Sequence, residues 1–218
     1  MINEGESISY KQLLNRPKSA GGFLAIRSRI IKKNERENVQ GQTLQEWAGT
    51  SRIFALVFTD IVDSTTIANG LGDERWIELL MKHFAQARSF MEKYDHHEIK
   101  IIGDSFMVVF RTAVDALDFV LSLHSDTGDD RIRIRAGIHV GSARIINDDI
   151  FGNMVNYTKR VESTDNPAGI RLSDAARSQI ADEKAQRHDH LNFLSKREDF
   201  KGSRSLKKFG SSSIEFAR

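Results

Sequence analysis

Residues 58–65 read FTDIVDST, and residues 100–106 read KIIGDSF. Each segment is an apolar run that stops at an acid, Asp60 in the first and Asp104 in the second. The first run begins as RIFAL, which predicts a buried strand. The second continues as SFMVVF, which predicts a β-hairpin with Asp104 at its tip. Two predicted strands therefore end on carboxylates, and the role of these acids has to be inferred from the rest of the chain.

The flanking segments predict the other elements. Apolar residues at i, i+3, i+4 and i+7 between residues 73 and 95 predict an amphipathic helix, with His96 and His97 in a loop at its end. TAVDALDFVLSLHS predicts a second helix, RIRIRAGIHV a half-exposed strand, and FGNMVNYTKRVES a helix opened by a glycine turn. IRLS, DAARSQIADE, HLNFLSK and SSSIEFAR predict a strand, a helix and two closing strands. The order β-α-β-β-α-β predicts an α+β fold with a ferredoxin-like core.

Composition and charge narrow the class of protein. The chain has 218 residues, 39% hydrophobic and 28% charged, as in a soluble globular protein. The formal net charge of +2 and the lack of aromatic interleaving argue against nucleic-acid binding. There is no cysteine, no apolar run approaches the ~18 residues of a transmembrane helix, and the polar N-terminus is no secretory signal. We expect a cytoplasmic protein without a membrane span.

The two acids predict a metal site. In the ferredoxin-like order the first strand neighbours the hairpin, so Asp60 and Asp104 can meet at one edge of the sheet. Two close carboxylates repel unless a divalent cation lies between them, and oxygen ligands suit Mg²⁺ or Mn²⁺. The following IVDSTT is expected to start a helix, whose N–H groups can hold a phosphate, with Asp63, Ser64 or Thr65 as the N-cap. The bland alternative is that Asp60 only caps a helix and Asp104 only makes a turn.

FTDIVDST, KIIGDSF, GIHVG and DIFGNMVNYTKR also carry a resemblance. Together, in this order, they resemble the class III nucleotidyl cyclase domain, from about Ile53 to the C-terminus. The resemblance implies production of 3′,5′-cyclic nucleotides from nucleoside triphosphates by a head-to-tail homodimer with active sites at the interface. It also implies a catalytic domain over residues 51–218. Residues 1–50, which carry five basic residues in GFLAIRSRIIKKNER, would be an N-terminal extension. The alternatives for this basic segment are a solvated face, a helical dimer arm, or a contact with acidic lipid or nucleic acid.

The resemblance assigns roles to individual residues. Asp60 and Asp104, with the backbone carbonyl of Ile61, would hold two divalent ions, Mn²⁺ or Mg²⁺. Asn156 and Arg160, which share a helix face, would position the ribose and stabilise the transition state. The implied substrate-binding residues are Phe58, Lys100, Asp149 and Lys207. Of these, Lys100 and Asp149 would read the base, and Lys207 would hold the terminal phosphates. Asp60, a water or the substrate itself can accept the 3′-hydroxyl proton.

The base is the least determined part of this hypothesis. Lys100 and Asp149 are the types with which the family reads adenine, which favours ATP. Against this, bulky residues occupy 157–159, and Asp63 and Lys208 stand where the family often has glycine. With no sensor segment evident, the chain resembles the stand-alone pyrimidine cyclases of anti-phage Pycsar systems, which signal to a separate effector protein. We therefore expect UTP, then CTP, with ATP as the alternative.

Hypotheses of other classes remain. A nucleotide-binding regulatory domain that has lost catalysis would lack a metal acid or the transition-state arginine, and both are present here. A diguanylate cyclase or polymerase palm shares the βαββαβ core, but the hairpin tip reads IGDS rather than GGDEF.

Overall fold

The computed structural model describes residues 41–163, 169–184, 193–196 and 211–214. These residues all fall within one unit that spans residues 38–218. Predictions for residues 1–40, for Lys207 and for Lys208 lie outside the described residues.

The predicted elements are present in the predicted order. The helices are α1 (Leu44–Ala48), α2 (Ser64–Leu71), α3 (Asp73–Met91), α4 (Ala113–Ser125), α5 (Asn153–Glu162) and α6 (Asp174–Lys184). The strands are β1 (Ile53–Ile61), β2 (His96–Ile102), β3 (Ser105–Phe110), β4 (Ile134–Ser142), β5 (Arg144–Ile146), β6 (Asp149–Phe151), β7 (Gly169–Ser173), β8 (Phe193–Lys196) and β9 (Ser211–Ile214). The short hairpin β5–β6 and the helix α1 are additions to the prediction.

The sheet has the ferredoxin-like core at one end. Its strand order is β2-β3-β1-β4-β7-β9-β8, while β5 and β6 form a separate two-stranded sheet. β1 is antiparallel to both β3 and β4, as the βαββαβ order requires. Because β1 lies between β3 and β4, its last residues meet the hairpin tip on one side and β4 on the other.

Alternation along β1 decides which side chains face the future site. Ala55, Val57 and Ile61 belong to the larger apolar cluster with α3, α4 and α6. Leu56 and Phe58 belong to a second cluster on the other face, with residues of α1, β6 and α5. Since side chains on a strand alternate, Asp60 lies on the same face as Phe58. The carboxylate therefore points to the side that α5 and the small hairpin cover.

Helix α5 comes unusually close to β4 because of one glycine. A Cβ built on Gly137 would lie 2.5 Å from the backbone nitrogen of Glu162 and 2.7 Å from its Cα. Only glycine leaves room for this approach. The last turn of α5 is thereby pressed onto β4, and the Glu162 side chain is buried against the sheet.

The prediction for His96 and His97 was wrong. Both open strand β2 and are only 6% and 5% exposed. The helical apolar pattern ends at Met91, and the chain turns within four residues into the strand. Histidine has no strong preference that separates a loop from a strand start, so tertiary packing decided their place. His96 packs near Phe110, and His97 near Trp47.

Candidate active site

The two predicted metal acids do meet. Asp104 Oδ2 accepts a hydrogen bond from the backbone N–H of Ile61 at 3.3 Å, across 43 positions of sequence. Asp104 lies in the two-residue turn between β2 and β3, where Gly103 has φ +68°. Asp60, Ile61 and Asp104 thus form one corner of the sheet, which we call the acid corner.

Both oxygens of Asp60 already have partners. Oδ1 accepts from the hydroxyl of Ser105 at 2.6 Å. Oδ2 accepts from Arg135, with Nε at 2.8 Å and Nη2 also bonded. Arg135 is the β4 neighbour of Asp60 in the sheet, so the antiparallel register itself brings the guanidinium to the carboxylate. A fixed positive charge therefore lies beside the acid corner.

A buried carboxylate, Glu162, also lies within ion-pair distance of Arg135. Glu162 Oε1 lies 2.7 Å from Arg135 Nε, and Oε2 lies 2.8 Å from Lys159 Nζ. These are ion pairs by distance, but neither oxygen has a hydrogen bond of good angle. Burial raises the pKa of Glu162, although Lys159 opposes that shift. The last turn of α5 is thus linked electrostatically, through Arg135, to Asp60.

Lys100 and Asp149 form an ion pair at the place predicted to read the base. Lys100 Nζ lies 2.5 Å from Asp149 Oδ2, and the side chains are 32% and 27% exposed. The other oxygen of Asp149 accepts the N–H of Ile150 at 2.8 Å. The ammonium and the carboxylate, 49 positions apart in sequence, therefore offer hydrogen-bond donors and an acceptor side by side.

Phe58 lies close to this pair in the sheet. Lys100 is paired with Met107 on β3, and Met107 is paired with Phe58 on β1. The Phe58 ring is buried in the second apolar cluster, and Lys159 Nζ lies 5.6 Å from its centroid. Contact of Phe58 with a substrate remains a prediction.

Asn156 and Arg160 lie elsewhere. Both are exposed on α5, which begins after Gly152 at φ +119° as the glycine turn predicted. Among the described residues, no hydrogen bond or ion pair joins their side chains to Asp60 or Asp104. Within the described part of one chain, Asn156 and Arg160 therefore have no direct bond to the two acids.

The segment after the acid corner opens helix α2. Asp63 is its N-cap, one of the three predicted candidates, but its side chain makes no capping hydrogen bond. Asp63 has φ +57°, a left-handed conformation in which glycine is comfortable and aspartate is tolerated. This explains how an aspartate can stand where the resembling family often has glycine.

Comparison with known proteins agrees with this geometry. Residues 49–201 match the family model of the adenylate and guanylate cyclase catalytic domain. The chain belongs to this family. The described residues that were predicted to form the site, from Phe58 to Arg160, all fall within the matched range.

Curated relatives of this cyclase domain include enzymes for both purines. The receptor-type guanylate cyclase gcy-23 of Caenorhabditis elegans is 27% identical over 153 residues, 60% of this chain and 14% of that protein. A pH-sensitive adenylate cyclase of Mycobacterium tuberculosis is 36% identical over 86 residues, 38% of this chain and 22% of that protein. The chain thus spans less than a quarter of the length of either relative.

A solved structure confirms the fold. The adenylyl cyclase CyaB from P. aeruginosa is similar with a TM-score of 0.63 at 20% identity, covering 77% of this chain and 95% of that one. The α+β cyclase fold was therefore predicted correctly. Among the residues that the structure describes, no helix is both long and apolar enough to cross a bilayer.

The cyclase site contains residues that sequence reasoning missed. Arg135 was treated only as the polar side of an alternating strand, and Ser105 and Glu162 were not considered. The strand that carries Arg135 was predicted, but bringing Arg135 to Asp60 requires the pairing and register of β4 with β1. Glu162 could not be found, because its burial depends on the close approach at Gly137.

The donor set of the acid corner fits hard divalent cations. No cluster of three or more acids and histidines suited to a metal occurs in the described ranges. Mg²⁺ commonly uses one or two carboxylates and takes its other ligands from water and substrate phosphates. Asp60, Asp104 and the Ile61 carbonyl match that pattern in number and type.

Proposed function

We propose that this chain converts a nucleoside triphosphate into a 3′,5′-cyclic nucleotide and pyrophosphate. The observation that carries the proposal is the meeting of Asp60 and Asp104 at one corner, beside the guanidinium of Arg135. A corner with two carboxylates and a fixed cation suits a metal–triphosphate substrate better than a neutral one. Family membership supports the same reaction.

The chemistry is an in-line displacement. The 3′-oxygen of the ribose forms a bond to the α-phosphorus, the bond from that phosphorus to the bridging oxygen of pyrophosphate breaks, and the hydroxyl proton leaves. Asp60 and Asp104, with the Ile61 carbonyl, would hold two Mg²⁺ or Mn²⁺ ions. Bound there, these ions would neutralise phosphate charge and lower the pKa of the 3′-hydroxyl.

The side chains contribute orientation and charge. Arg135 is oriented between Asp60 and Glu162, so its remaining N–H groups are preorganised for a phosphate oxygen. Arg160 would stabilise the negative charge that gathers on the equatorial oxygens of the transition state, and Asn156 would position the ribose. Lys207 is proposed to hold the terminal phosphates.

A homodimer with active sites at the interface would complete this arrangement. Asn156 and Arg160 are exposed and make no bond to the acids of their own chain in the described ranges. In a two-fold dimer, one protomer can supply the acids and the other the transition-state pair, twice over.

The dimer can be tested by mixing two inactive variants. Asp60→Asn and Arg160→Met should each be inactive alone, because each destroys both sites of a homodimer. Random mixing should restore about a quarter of wild-type activity, since half the dimers are mixed and each has one intact site. If mixing restores nothing while both variants exchange subunits, the shared-site arrangement is wrong.

For the base we propose a pyrimidine, with UTP ahead of CTP. What supports it is the bulk along α5. Lys159 lies over the ring of Phe58, and Met107 pairs with both Phe58 and Lys100 in the sheet. We expect this bulk to favour the smaller ring of a pyrimidine. Tyr157 is a weaker argument, because its ring packs edge-on against His139. A cytoplasmic cyclic-UMP signal to a separate effector in anti-phage defence is the corresponding cellular role.

ATP is the second candidate. The intact Lys100–Asp149 pair favours it, since a lysine donor beside a carboxylate acceptor matches the ring nitrogen and exocyclic amine of adenine. A catalytically silent regulatory domain is the alternative from another class. The presence of both acids and of Arg160 argues against it.

One experiment separates these functions. Purified full-length protein is incubated with Mn²⁺ and each of ATP, GTP, CTP and UTP, and the products are identified by mass spectrometry. Cyclic UMP or cyclic CMP supports the pyrimidine proposal, and cyclic AMP replaces it with the second candidate. Absence of any cyclic product, in a preparation that binds nucleotide, favours the silent domain.

A further inference from the structure

The base-reading carboxylate stands on a weak element. Asp149 begins β6, which among the described strands pairs only with β5, and each of these two strands has three residues. A two-stranded hairpin of this size is not stable alone in water. Its two central turn residues, Asn147 and Asp148, have φ of +51° and +58°, as in a type I′ turn. Something outside the hairpin must therefore hold Asp149 at Lys100.

Helix α1 supplies that support. The backbone N–H of Leu44, in the first turn of α1, donates to Asp148 Oδ1 at 2.9 Å, across 104 positions of sequence. Beneath this contact, Ile150 of the hairpin is buried with Leu44 and Trp47 in the second apolar cluster. The turn is thus held by a hydrogen bond to a carboxylate and by apolar packing, both from α1.

Helix α1 is itself firmly anchored to the main sheet. Thr43 and Glu46 form a reciprocal capping box at its start. Trp47 Nε1 donates to Asp95 at 2.6 Å just before β2, and the Arg111 guanidinium lies 4.1 Å from the Trp47 ring centroid. These contacts link α1 to the ends of β2 and β3. A five-residue helix fixed this well can act as a rigid support.

We infer that α1, through the Leu44–Asp148 contact, positions Asp149 and so sets the selectivity of this enzyme among bases. The inference rests on the proposed function, in which Lys100 and Asp149 read the base. Asp148 and α1 are positioning elements that do not touch the substrate. Helix α1 precedes the range that matches the family model, so membership in the family does not by itself assign this role.

This positioning role predicts a change in the discrimination among nucleotide bases rather than in the rate of the chemical step. The acid corner is built from β1, the β2–β3 turn and β4, and none of its hydrogen bonds involves α1. Loosening the hairpin would let Asp149 move relative to Lys100. The site would then accept several bases with similar affinity, while the metal acids keep their positions.

Two substitutions at one position isolate the contact. Asp148→Gly removes the acceptor but suits the left-handed conformation, and Asn-Gly is the most favoured type I′ turn. Asp148→Asn keeps an acceptor oxygen of the same shape and tolerates positive φ. The hairpin turn is therefore preserved in both variants, and only the glycine variant loses the bond to α1.

A second pair of variants removes the donor. Leu44 is the first residue of α1, where proline is favoured, and Thr43 before it has φ −67° and ψ 156°, which a following proline allows. Leu44→Pro therefore deletes the N–H without ending the helix. Leu44→Ala is the control, because it shortens the same buried side chain and keeps the N–H.

The measurement is the affinity of each full-length variant for ATP, GTP, CTP and UTP by calorimetry, with kcat and KM beside it. Wild type and Asp148→Asn should share one ratio between the best and worst nucleotide. Asp148→Gly and Leu44→Pro should shrink that ratio about tenfold, the value of one hydrogen bond to a charged group. Circular dichroism and thermal melting confirm that each variant is folded.

The outcomes separate this inference from the function on which it rests. If wild type discriminates among bases and Asp148→Gly discriminates equally well, α1 has no role in selectivity and the cyclase proposal stands. If Leu44→Ala changes the ratio as much as Leu44→Pro, packing rather than the hydrogen bond is responsible, and the inference fails. If wild type binds none of the four nucleotides, the proposed function and this inference fall together.

Discussion

The acid corner and the β5–β6 hairpin are built on opposite principles. The acid corner lies at the end of β1, a nine-residue strand with neighbours on both sides, and its carboxylates are held by the sheet register. The hairpin has three residues per strand and stands apart from the main sheet. In the proposed function, the reaction therefore depends on carboxylates held by the main sheet. Base selection would depend on a small hairpin that substitutions can displace at low cost.

The first prediction concerns the acid corner, where one of the two carboxylates is removed. Asp60→Asn removes the negative charge and should lower kcat by at least about a hundredfold, comparable to losing a preorganised charge in an active site. The fold should persist, because the amide oxygen can still accept from Ser105. Product formation by mass spectrometry and a thermal melt are the measurements. Asp63→Asn is the matched control, since the Asp63 side chain is exposed and its carboxylate contacts only Arg133 in the described ranges. Wild-type turnover in Asp60→Asn would remove Asp60 from the metal site.

The second prediction disturbs the junction of α5 with β4. Gly137→Ala places a methyl group inside the backbone of Glu162 and should cost about 1–3 kcal/mol of unfolding free energy, as overpacking does. Activity should fall as well, because displacing Glu162 releases Arg135. Gly70→Ala in helix α2 is the control: its Cβ meets nothing within 4 Å, and a gain of about 0.5–1 kcal/mol is expected. Urea denaturation measures both. Equal stability of the two variants would contradict the close approach.

The third prediction sharpens the contrast on the hairpin side. Lys100→Met leaves Asp149 without its cation and should change the ratio of kcat/KM between the best and second nucleotide by about tenfold. The kcat for the best nucleotide should fall less than in Asp60→Asn. Arg144→Met is the control, because Arg144 is an exposed basic residue of the β5–β6 hairpin, which carries Asp149. An unaltered preference in Lys100→Met would show that the base is read elsewhere.

The fourth prediction concerns acid and is the smallest in effect. Burial lowers the pKa of His97 to about 4, from an ordinary 6.5. Below pH 6.5 the unfolded chain takes up a proton that the folded chain refuses, so stability falls as pH drops from 6.5 to 4. The slope for this group is at most about 1.4 kcal/mol per pH unit.

His97→Gln should flatten that slope, as measured by urea denaturation at pH 7 and pH 5. His97 packs near Trp47 of α1. Protonation of His97 should therefore first weaken the packing of α1, which supports the hairpin. His139, on β4, is the matched position on the same face of the sheet: its pKa is also lowered by burial to about 4, and its ring packs on Tyr157 of α5. An identical slope in the wild type and in His97→Gln would show that His97 does not couple to folding.

Most of the fold was predictable because its signals are local. The period of 3.6 in α3, the apolar run of β1 and the turn at Gly103–Asp104 each reside in fewer than 25 residues. The meeting of Asp60 and Asp104 was also predictable, since the ferredoxin-like strand order alone places the two acids at one edge of the sheet. The small hairpin β5–β6 was missed because three-residue strands carry too little periodicity. The burial of His96 and His97 was missed because histidine is compatible with either place.

By itself, the sequence determined the element order, the two strand-ending acids and the family. Those features depend on residue types at short spacing, and such local patterns determine local structure. Only the tertiary structure decided the contacts of Asp60 with Arg135 and of Leu44 with Asp148, at separations of 75 and 104 positions. Such contacts depend on strand register and on how closely a helix approaches the sheet. Both are settled by packing of the whole chain rather than by any one segment.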